Sequence, residues 1–386
     1  MIRRIGTERG NGSMLTRDIA YNIVKETMRR LDRNINIMDA DGTIIASGDR
    51  RRIGERHAGA AEAIRTGRPV AVKPSDAADA GAGKGPQPGV NLPIVFQQRT
   101  IGAIGITGDP QHVAEFAELV RMATELMLQQ AYLASLAEWR NRAKAAVLEE
   151  MERPEPDGAK LRGVFELLGV ELREPARVYS LRLPAGAWDE PQLARELEEL
   201  WGPKRSLAAP RGQDELCVIT FGLGDDAAAS RLERTKAAFA RRGAACRIGA
   251  SGAASEPEAL GALLREAEFA LSFATADAAA SVVHIAGLEP RMIVSRAPEE
   301  AKARFAAQTV AKLSPALRRT LQTFFDCNRS VQGTADALRV HKNTVAYRIN
   351  KIAEATGRDP QTFADAAALQ IALWIAGDAE GVSAKA

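Results

Sequence analysis

Residues Ser330–Ile352 read SVQGTADALRVHKNTVAYRINKI, two short helices separated by a tight turn. Ser330 suits a helix N-cap. Ala335 is small enough for a close helix crossing, and Leu338 closes the first helix on an apolar residue. Arg339-Val340-His341 has about the length of a helix-turn-helix turn, and the second helix starts at Lys342. Val345, Ile349 and Ile352 recur at i, i+4 and i+7 and face a core. The opposite face carries Asn343, Tyr347, Asn350 and Lys351, flanked by Thr344 and Arg348. Those side chains suit a helix in a DNA major groove: Asn for an adenine edge, Arg for guanine, Thr for a base or phosphate, Lys for phosphate. The competing reading is a helical hairpin with a solvated outer face. Two features favour DNA. Lys342, Arg348, Lys351, Arg329 and Arg339 form a basic set with no matching acidic one. The pair also sits inside a four-helix unit. A helix from Ser314 to Asp326 with Leu317, Leu321, Phe324 and Phe325 precedes it; an apolar helix from Phe363 to Ile375 follows, after Gly357 and Pro360 stop the second helix.

The block from Leu313 to Ile375, with LQTFFDCNRSVQGTADALRVHKNTVAYRINKIAEATGRDP and then FADAAALQIALWI, resembles the C-terminal helix-turn-helix of the purine-catabolism and sugar-diacid regulator group. The resemblance implies DNA contact by His341, Lys342, Asn343, Thr344, Tyr347 and Arg348; the helix-face reading selects nearly the same set and adds Lys351. His341 stands at the helix N-cap, where a purely structural role is equally open.

Working outward, 386 residues predict two or three domains, and 46% hydrophobic with 26% charged residues is the balance of a soluble globular protein. A net charge of +3 excludes wholesale coating of nucleic acid, so the basic character is local. No apolar run is long enough to span a bilayer. MIRRIGTERGNGSM has charge but no apolar core of a signal peptide, which predicts a disordered leader over residues 1–14 and a cytoplasmic location. Cys217, Cys246 and Cys327 are far apart and odd in number, without zinc spacing. His57, His112, His284 and His341 form no metal cluster, and no cofactor is expected.

The N-terminal third reads as an α+β sensor. Ile19, Ile23, Val24, Met28 and Leu31 mark an amphipathic helix over residues 15–31. Asn34–Asp39 alternates like a strand, Ala40-Asp41-Gly42 turns, and Thr43–Ser47 returns. A loop over Gly48–Gly54, a helix from His57 to Thr66, a strand over Pro69–Lys73, a Gly/Ala/Pro-rich loop over residues 74–89 and a second hairpin over Val90–Phe96 and Thr100–Thr107 complete it. The pattern predicts an antiparallel sheet with helices on one side, of the PAS or Cache type. Ser47, Arg50, Arg51, Arg52 and His57 cluster after the first hairpin, and Asn91 follows Gly89. Guanidinium groups and glycine-rich amides suit a carboxylate. Composition alone favours a solvated arginine loop.

NINIMDADGTIIASGDRRRIGERHAGAAEAI, GVNLPIVFQQRTIGAIGITGDP and VAEFAELVRMATELMLQQA resemble the sugar-diacid recognition domain of the carbohydrate diacid regulators, over nearly all of residues 15–135. The resemblance implies sensing of a small hydroxy acid such as glycerate, glucarate or galactarate. Carried over by position it implies a pocket of Ser47, Arg52, Gly54, His57, Gly89, Asn91 and Leu92, with Arg52 the carboxylate partner. The residues alone leave open which of the three arginines points inward.

Asp109–Met151 reads as one long helix, with Pro110 near its start and Pro154 and Pro156 beyond its end. Phe116, Leu119, Ala123, Leu126, Leu133 and Ala137 lie close to a heptad, which predicts pairing with a second copy in a homodimer; the competing reading packs the helix on its own sensor sheet. In the middle of the chain, Arg177–Leu183, Leu216–Phe221 and Ala245–Ser251 read as strands, and Glu190–Leu200, Ala227–Arg241 and Glu258–Phe273 as helices, an α/β sandwich. RGQDEL at Arg211–Leu216 resembles a decayed GGDEF signature, and CRIGASGAASEPEALGALLREAEFAL the later strand and helix of that fold. A nucleotide cyclase, or a non-catalytic nucleotide-binding sensor, is therefore the rival to a DNA-binding regulator. Gln213 stands where a cyclase needs a second glycine, and Val178–Leu183 holds Arg182 but no metal-binding acid. Asp214 and Glu215 read better as a charged hairpin tip, His284 as a strand end and Cys217 as a buried strand residue.

The expected whole is a multidomain α+β chain. It comprises a PAS/Cache-like sensor over 15–135, a linking helix over 136–156, a degenerate GGDEF-like α/β domain over 157–300 and an all-α helix-turn-helix domain over 312–378. The resemblance implies a cytoplasmic, ligand-responsive regulator of the carbohydrate diacid type, not an enzyme, with double-stranded operator DNA as partner. It further implies activation of genes for diacid or glycerate uptake and catabolism.

Overall fold

The computed structural model describes residues 15–29, 33–73, 87–184, 188–212, 214–275 and 280–383. The expected leader over 1–14, Leu31, most of the Gly/Ala/Pro-rich loop and Gln213 lie outside them. The chain divides into two compact units, Met1–Asn141 and Arg142–Ala386.

In the first unit, α1 (Arg17–Met28) is capped by Thr16, whose hydroxyl accepts from the Ile19 N–H at 3.3 Å. Strands β1 (Ile35–Met38) and β2 (Ile44–Ser47) form the first hairpin. Its turn is closed by the Asp39 carboxylate, which accepts from the Asp41 and Thr43 N–H groups at 3.0 and 2.9 Å. Helix α2 (Ala58–Thr66), β3 (Val70–Val72), β4 (Gly89–Phe96), β5 (Arg99–Thr107) and α3 (Pro110–Met151) follow. The antiparallel sheet has the order β2-β1-β5-β4-β3.

One face of the sheet, with Ile35, Ile37, Leu92, Ile94, Ile104 and Ile106, packs on Ile23 and Val24 of α1 and on Val113, Ala117, Val120 and Leu128 of α3. The other face packs Met38, Ile44 and Ala103 on Ala60 and Ile64 of α2. Helices therefore cover both faces, where the sequence pattern placed them on one. The internal strand β1 is buried at all four positions, so neither of its faces can be left to water. Helix α3 runs unbroken through the expected linking segment to Met151.

The second unit begins with α4 (Gly158–Leu168), β6 (Ala176–Arg182), α5 (Glu190–Trp201), β7 (Ser206–Pro210), β8 (Glu215–Phe221), α6 (Asp225–Arg241), β9 (Cys246–Ala250), α7 (Leu260–Ser272) and β10 (Ala280–His284). The sheet order is β10-β9-β6-β8-β7, with β10 and β9 parallel and the rest antiparallel. Tyr179, Leu193, Leu197, Trp201, Val218, Phe239 and Ile248 are central to its core, where the Trp201 indole donates to the Thr235 hydroxyl at 3.1 Å. Cys217 is buried in β8, and burial pushes its thiol up to about 12; His284 ends β10. The short, alanine-rich β7 and helix α4 were not apparent from the sequence pattern.

Six helices complete the unit: α8 (Glu289–Ser295), α9 (Glu299–Gln308), α10 (Pro315–Asp326), α11 (Val331–Leu338), α12 (Lys342–Thr356) and α13 (Phe363–Ser383). Among the described residues no helix is long and apolar enough to cross a membrane.

Within this unit the last turns of α3 carry a buried ion pair. Lys144 Nζ lies 2.6 Å from Glu198 Oε1 of α5 and donates to the Ala208 carbonyl of β7 at 2.9 Å; the same Glu198 oxygen accepts from the Ala208 N–H at 3.0 Å. Removing one partner of such a pair costs about 3–5 kcal/mol, far more than replacing both by apolar residues. Glu198→Ala should lower stability by that amount in thermal or urea denaturation, and the double change Lys144→Met/Glu198→Leu should recover most of the loss.

Candidate functional site

At the C-terminal end, α11 is capped by Ser330, whose hydroxyl accepts from the Gly333 N–H at 3.0 Å. Arg339 ends the helix in the left-handed region (φ 53°). His341 then caps α12, its Nδ1 accepting from the Asn343 N–H at 3.2 Å. These caps set the turn between the two helices. Val345, Ile349 and Ile352 are buried against Leu321, Phe324, Ala335 and Leu369. Lys342, Asn343, Tyr347, Asn350 and Lys351 are exposed, and Thr344 and Arg348 are half-buried.

The expected residues are therefore not equivalent. Arg348 turns inward and donates from Nη1 to the Thr320 hydroxyl of α10 at 3.1 Å, so it ties α12 to the helix beneath it. Arg329, expected in the basic surface, donates to the Gln361 carbonyl at 3.2 Å. Lys351 pairs with Glu354 at 2.8 Å, and its ammonium lies 5.8 Å from the Tyr347 ring; the Glu354 hydrogen bond holds the Lys351 pKa above the usual lysine range. Lys342 and Asn343, at the start of α12, and Tyr347 remain on the open face.

Of the expected sensor residues, His57 caps α2 and Asn91 lies against Gly59 in its first turn. Asp49 caps a 3-10 turn over Arg50–Arg52. Arg51 is almost wholly exposed (91%) and pairs with Asp49 at 3.0 Å, whereas the Arg52 side chain is only 17% exposed, 3.5 Å from Glu55. Gly54 (φ 95°) occupies a conformation that side chains resist, and its N–H donates to Ile44 O at 2.8 Å. His57 caps α2, with Nδ1 accepting from the Ala60 N–H at 3.3 Å, so the neutral ring carries its proton on Nε2. Burial, and secondarily the Arg52 charge, lower its pKa below the ordinary value.

Ser47 and Asn91 are buried. The Ser47 hydroxyl donates to Asn36 Oδ1 at 2.6 Å and accepts from the Asp49 N–H at 3.0 Å. Gly89 lies against the backbone of β5, where a Cβ would stand 2.4 Å from Ile106 O. Leu92 lies in the core on the face of the sheet opposite Asn91. A concavity of about 690 Å³ beside α2, lined by Asp41, Arg56, Glu62 and Arg65, contains none of the seven. Its Arg65 pairs with Glu62 at 2.8 Å. Asn36 was missed by sequence reasoning; its only signal was a polar residue between Ile35 and Ile37 of a strand otherwise apolar.

In the middle domain Arg211 of the remnant signature follows β7 directly, and Glu215 and Leu216 open β8. Arg182 pairs with Glu215, and Arg211 pairs with Glu268 and, at 2.8 Å, with Glu152. Among the described residues no cluster of three His, Cys, Asp or Glu side chains could hold a metal ion.

A helix-turn-helix with an open polar face, preceded by a separate sensor-type sheet, defines a DNA-binding transcription regulator. Three family models match the chain in succession: sugar diacid recognition over residues 15–151, a GGDEF-like domain over 152–273 and the PucR C-terminal helix-turn-helix domain over 317–375. The carbohydrate diacid regulator of Escherichia coli is 30% identical over 94% of this chain and 98% of its own length. An uncharacterized protein of Haemophilus influenzae is 28% identical over 88% of this chain and 93% of its own, and YsfB of Bacillus subtilis is 25% identical over 92% and 96%. The chain belongs to the carbohydrate diacid regulator family.

The His57 shift carries a pH dependence of known sign. Its folded pKa lies below the ordinary 6.5, so on acidification the unfolded chain takes up the proton first. The stability associated with the neutral ring is complete above pH 6.5 and declines as pH falls from there towards the folded value. His57→Asn keeps a capping acceptor and removes the titration; its thermal melts at pH 7.5 and 5.5 should differ by less than those of the wild type.

Proposed function

We propose that this regulator binds operator DNA through α12 as a homodimer and that a small hydroxy carboxylate, such as glycerate, glucarate or galactarate, bound at the start of α2 biases that binding. The observation that carries the DNA reading is the division of α12 into a buried Val345/Ile349/Ile352 face and an open face bearing Lys342, Asn343, Tyr347 and Lys351. Asn343 is the base reader of that face, Lys342 and Lys351 its phosphate contacts, and His341 its capping residue. Thr344 and Arg348 stand at its edge. Arg348 acts chiefly by holding the helix on α10 through Thr320.

A single helix-turn-helix reads a short half-site, so two copies are needed for a two-fold operator. Helix α3 supports the pairing because it is apolar on two faces. Val113, Ala117, Val120 and Leu128 are spent on the sensor core, while Phe116, Leu119, Met122, Leu126 and Leu133 are each more than half exposed. A second α3 would cover that stripe with heptad packing. The middle domain is read as non-catalytic, because Glu215 of the remnant signature is already paired with Arg182 and, at 3.7 Å, with Arg211. The relative's name favours a diacid effector. The regulated genes are then those for uptake and breakdown of such acids, by activation, in a cytoplasmic setting.

Operator titrations at several salt concentrations separate the DNA roles. Asn343→Ala should cost about 1–3 kcal/mol and relax preference at one base position, while Lys351→Ala should weaken all sequences alike and reduce the salt slope by about one. The paired charge substitution Leu119→Glu/Leu126→Glu should leave a monomer in sedimentation velocity that no longer holds a two-site operator. Sequence preference unchanged in Asn343→Ala would remove α12 as the reading helix.

For the effector, thermal shift with glycerate, glucarate and galactarate should give a hit. A ligand at a hundred times its dissociation constant stabilises by about 2.7 kcal/mol, and Arg52→Ala should abolish the shift. Undiminished binding by Arg52→Ala would move the site away from α2.

A further inference from the structure

A single row of residues crosses the sensor sheet. Ser47 on β2 is the partner of Asn36 on β1, Asn36 of Gly105 on β5, and Gly105 of Asn91 on β4. Directly opposed residues of antiparallel strands project to the same side. The three polar side chains therefore share one face, the one that carries α2. Asn36 and Asn91 are 2% and 3% exposed. Buried carboxamides are ordinarily hydrogen-bonded at both ends, and leaving them unmatched is costly.

Here the matching is incomplete. Asn36 Oδ1 accepts from the Ser47 hydroxyl at 2.6 Å and the Asn34 amide at 3.4 Å. Among the described residues nothing accepts from Asn36 Nδ2, and nothing bonds either end of the Asn91 carboxamide. Neither side chain is among the polar groups that are at once fully sealed and unmatched.

Two glycines make the arrangement possible. A Cβ on Gly59, in the first turn of α2, would stand 2.7 Å from Asn91 Nδ2, and a Cβ on Gly105 would stand 2.8 Å from Asn91 Oδ1. An apolar residue at position 91 and alanines at 59 and 105 would have made an ordinary core. The chain instead holds an unmatched amide beneath the opening turn of a nine-residue helix, whose first N–H groups attract an acceptor.

Building on the effector reading above, we propose that Asn36 and Asn91 form the hydroxyl-reading end of the effector site. The occupant is a hydroxy carboxylate whose carboxylate lies towards Arg52 and the start of α2 and whose hydroxyl is held by the two carboxamides. The chemistry is complementary: a carboxamide both donates and accepts without charge, as a hydroxyl does, whereas a carboxylate only accepts and would oppose Asn91 Oδ1. The cationic end of the site selects acids, and the amide row selects among acids those that carry a hydroxyl. A site built to hydrogen-bond a hydroxyl discriminates strongly against the analogue that lacks it, because its own polar groups are then left unmatched.

The test is calorimetric titration of the full chain with D-glycerate and D-glucarate and with their deoxy counterparts, propionate and adipate. The wild type should bind at least one hydroxy acid about 100-fold or more tightly than its deoxy counterpart. Asn36→Leu and Asn91→Leu should each weaken the hydroxy acid by about 10-fold or more and shrink the discrimination, while the melting temperature of Asn91→Leu without ligand holds or rises, since an unmatched amide has been replaced by an apolar side chain. A lowered melting temperature with an unchanged hydroxy-to-deoxy ratio would make the amides structural and overturn the proposal. So would wild-type binding that favours neither member of a pair, although the effector reading would then stand. Failure of the wild type to bind any of the four acids would overturn the effector reading and this proposal with it.

Discussion

A buried ammonium has to find a carboxylate, and Lys144 finds Glu198 at 2.6 Å. That contact fastens the last turns of α3 to the sheet of the second unit through the backbone of Ala208. Desolvation makes the pair unforgiving of loss, because either charge alone would be stranded in an apolar interior. The start of α3 is bound differently, by Val113, Ala117, Val120 and Leu128 in the sensor core. One continuous helix thus belongs to both units, held at one end by apolar packing and at the other by a charge pair.

The same rule of matching buried polar groups sorts the rest of the molecule. Arg348 and Thr320 satisfy it and stabilise the seat of α12. Trp201 and Thr235 satisfy it in the middle domain. Glu215 of the GGDEF-like remnant is matched by Arg182 and, at 3.7 Å, by Arg211, a structural use of a group that a cyclase would keep for metal. Asn36 and Asn91 do not satisfy it within the chain, and that contrast marks the sensor face beneath α2. Buried polarity without a partner is tolerated where function requires it.

Much was legible in the sequence. The caps Ser330 and His341, the start of α2 near His57, the i, i+4, i+7 spacing of α12 and the run of α3 to Met151 are local properties, written in residue types a few positions apart. The resemblance to the family's three domains was equally legible, because it rests on ordered motifs. Less legible were β7, whose alanines carry little strand preference, and α2's position, because a strand buried on both faces gives no alternation to say which helix covers which side.

The sequence by itself determined the order of the domains, the faces of the reading helix and the second apolar stripe on α3, since each follows from periodicity along one element. Only the tertiary structure decided that Arg52 is the most buried of the three arginines, that Leu92 faces the wrong side of the sheet for a pocket and that Arg348 is spent on Thr320. It alone aligned Ser47, Asn36, Gly105 and Asn91 into one row. The reason is strand pairing. Register between β1 and β5 joins Asn36 to Gly105, 69 positions away in the chain, and pattern within a single strand cannot encode which neighbours it will meet.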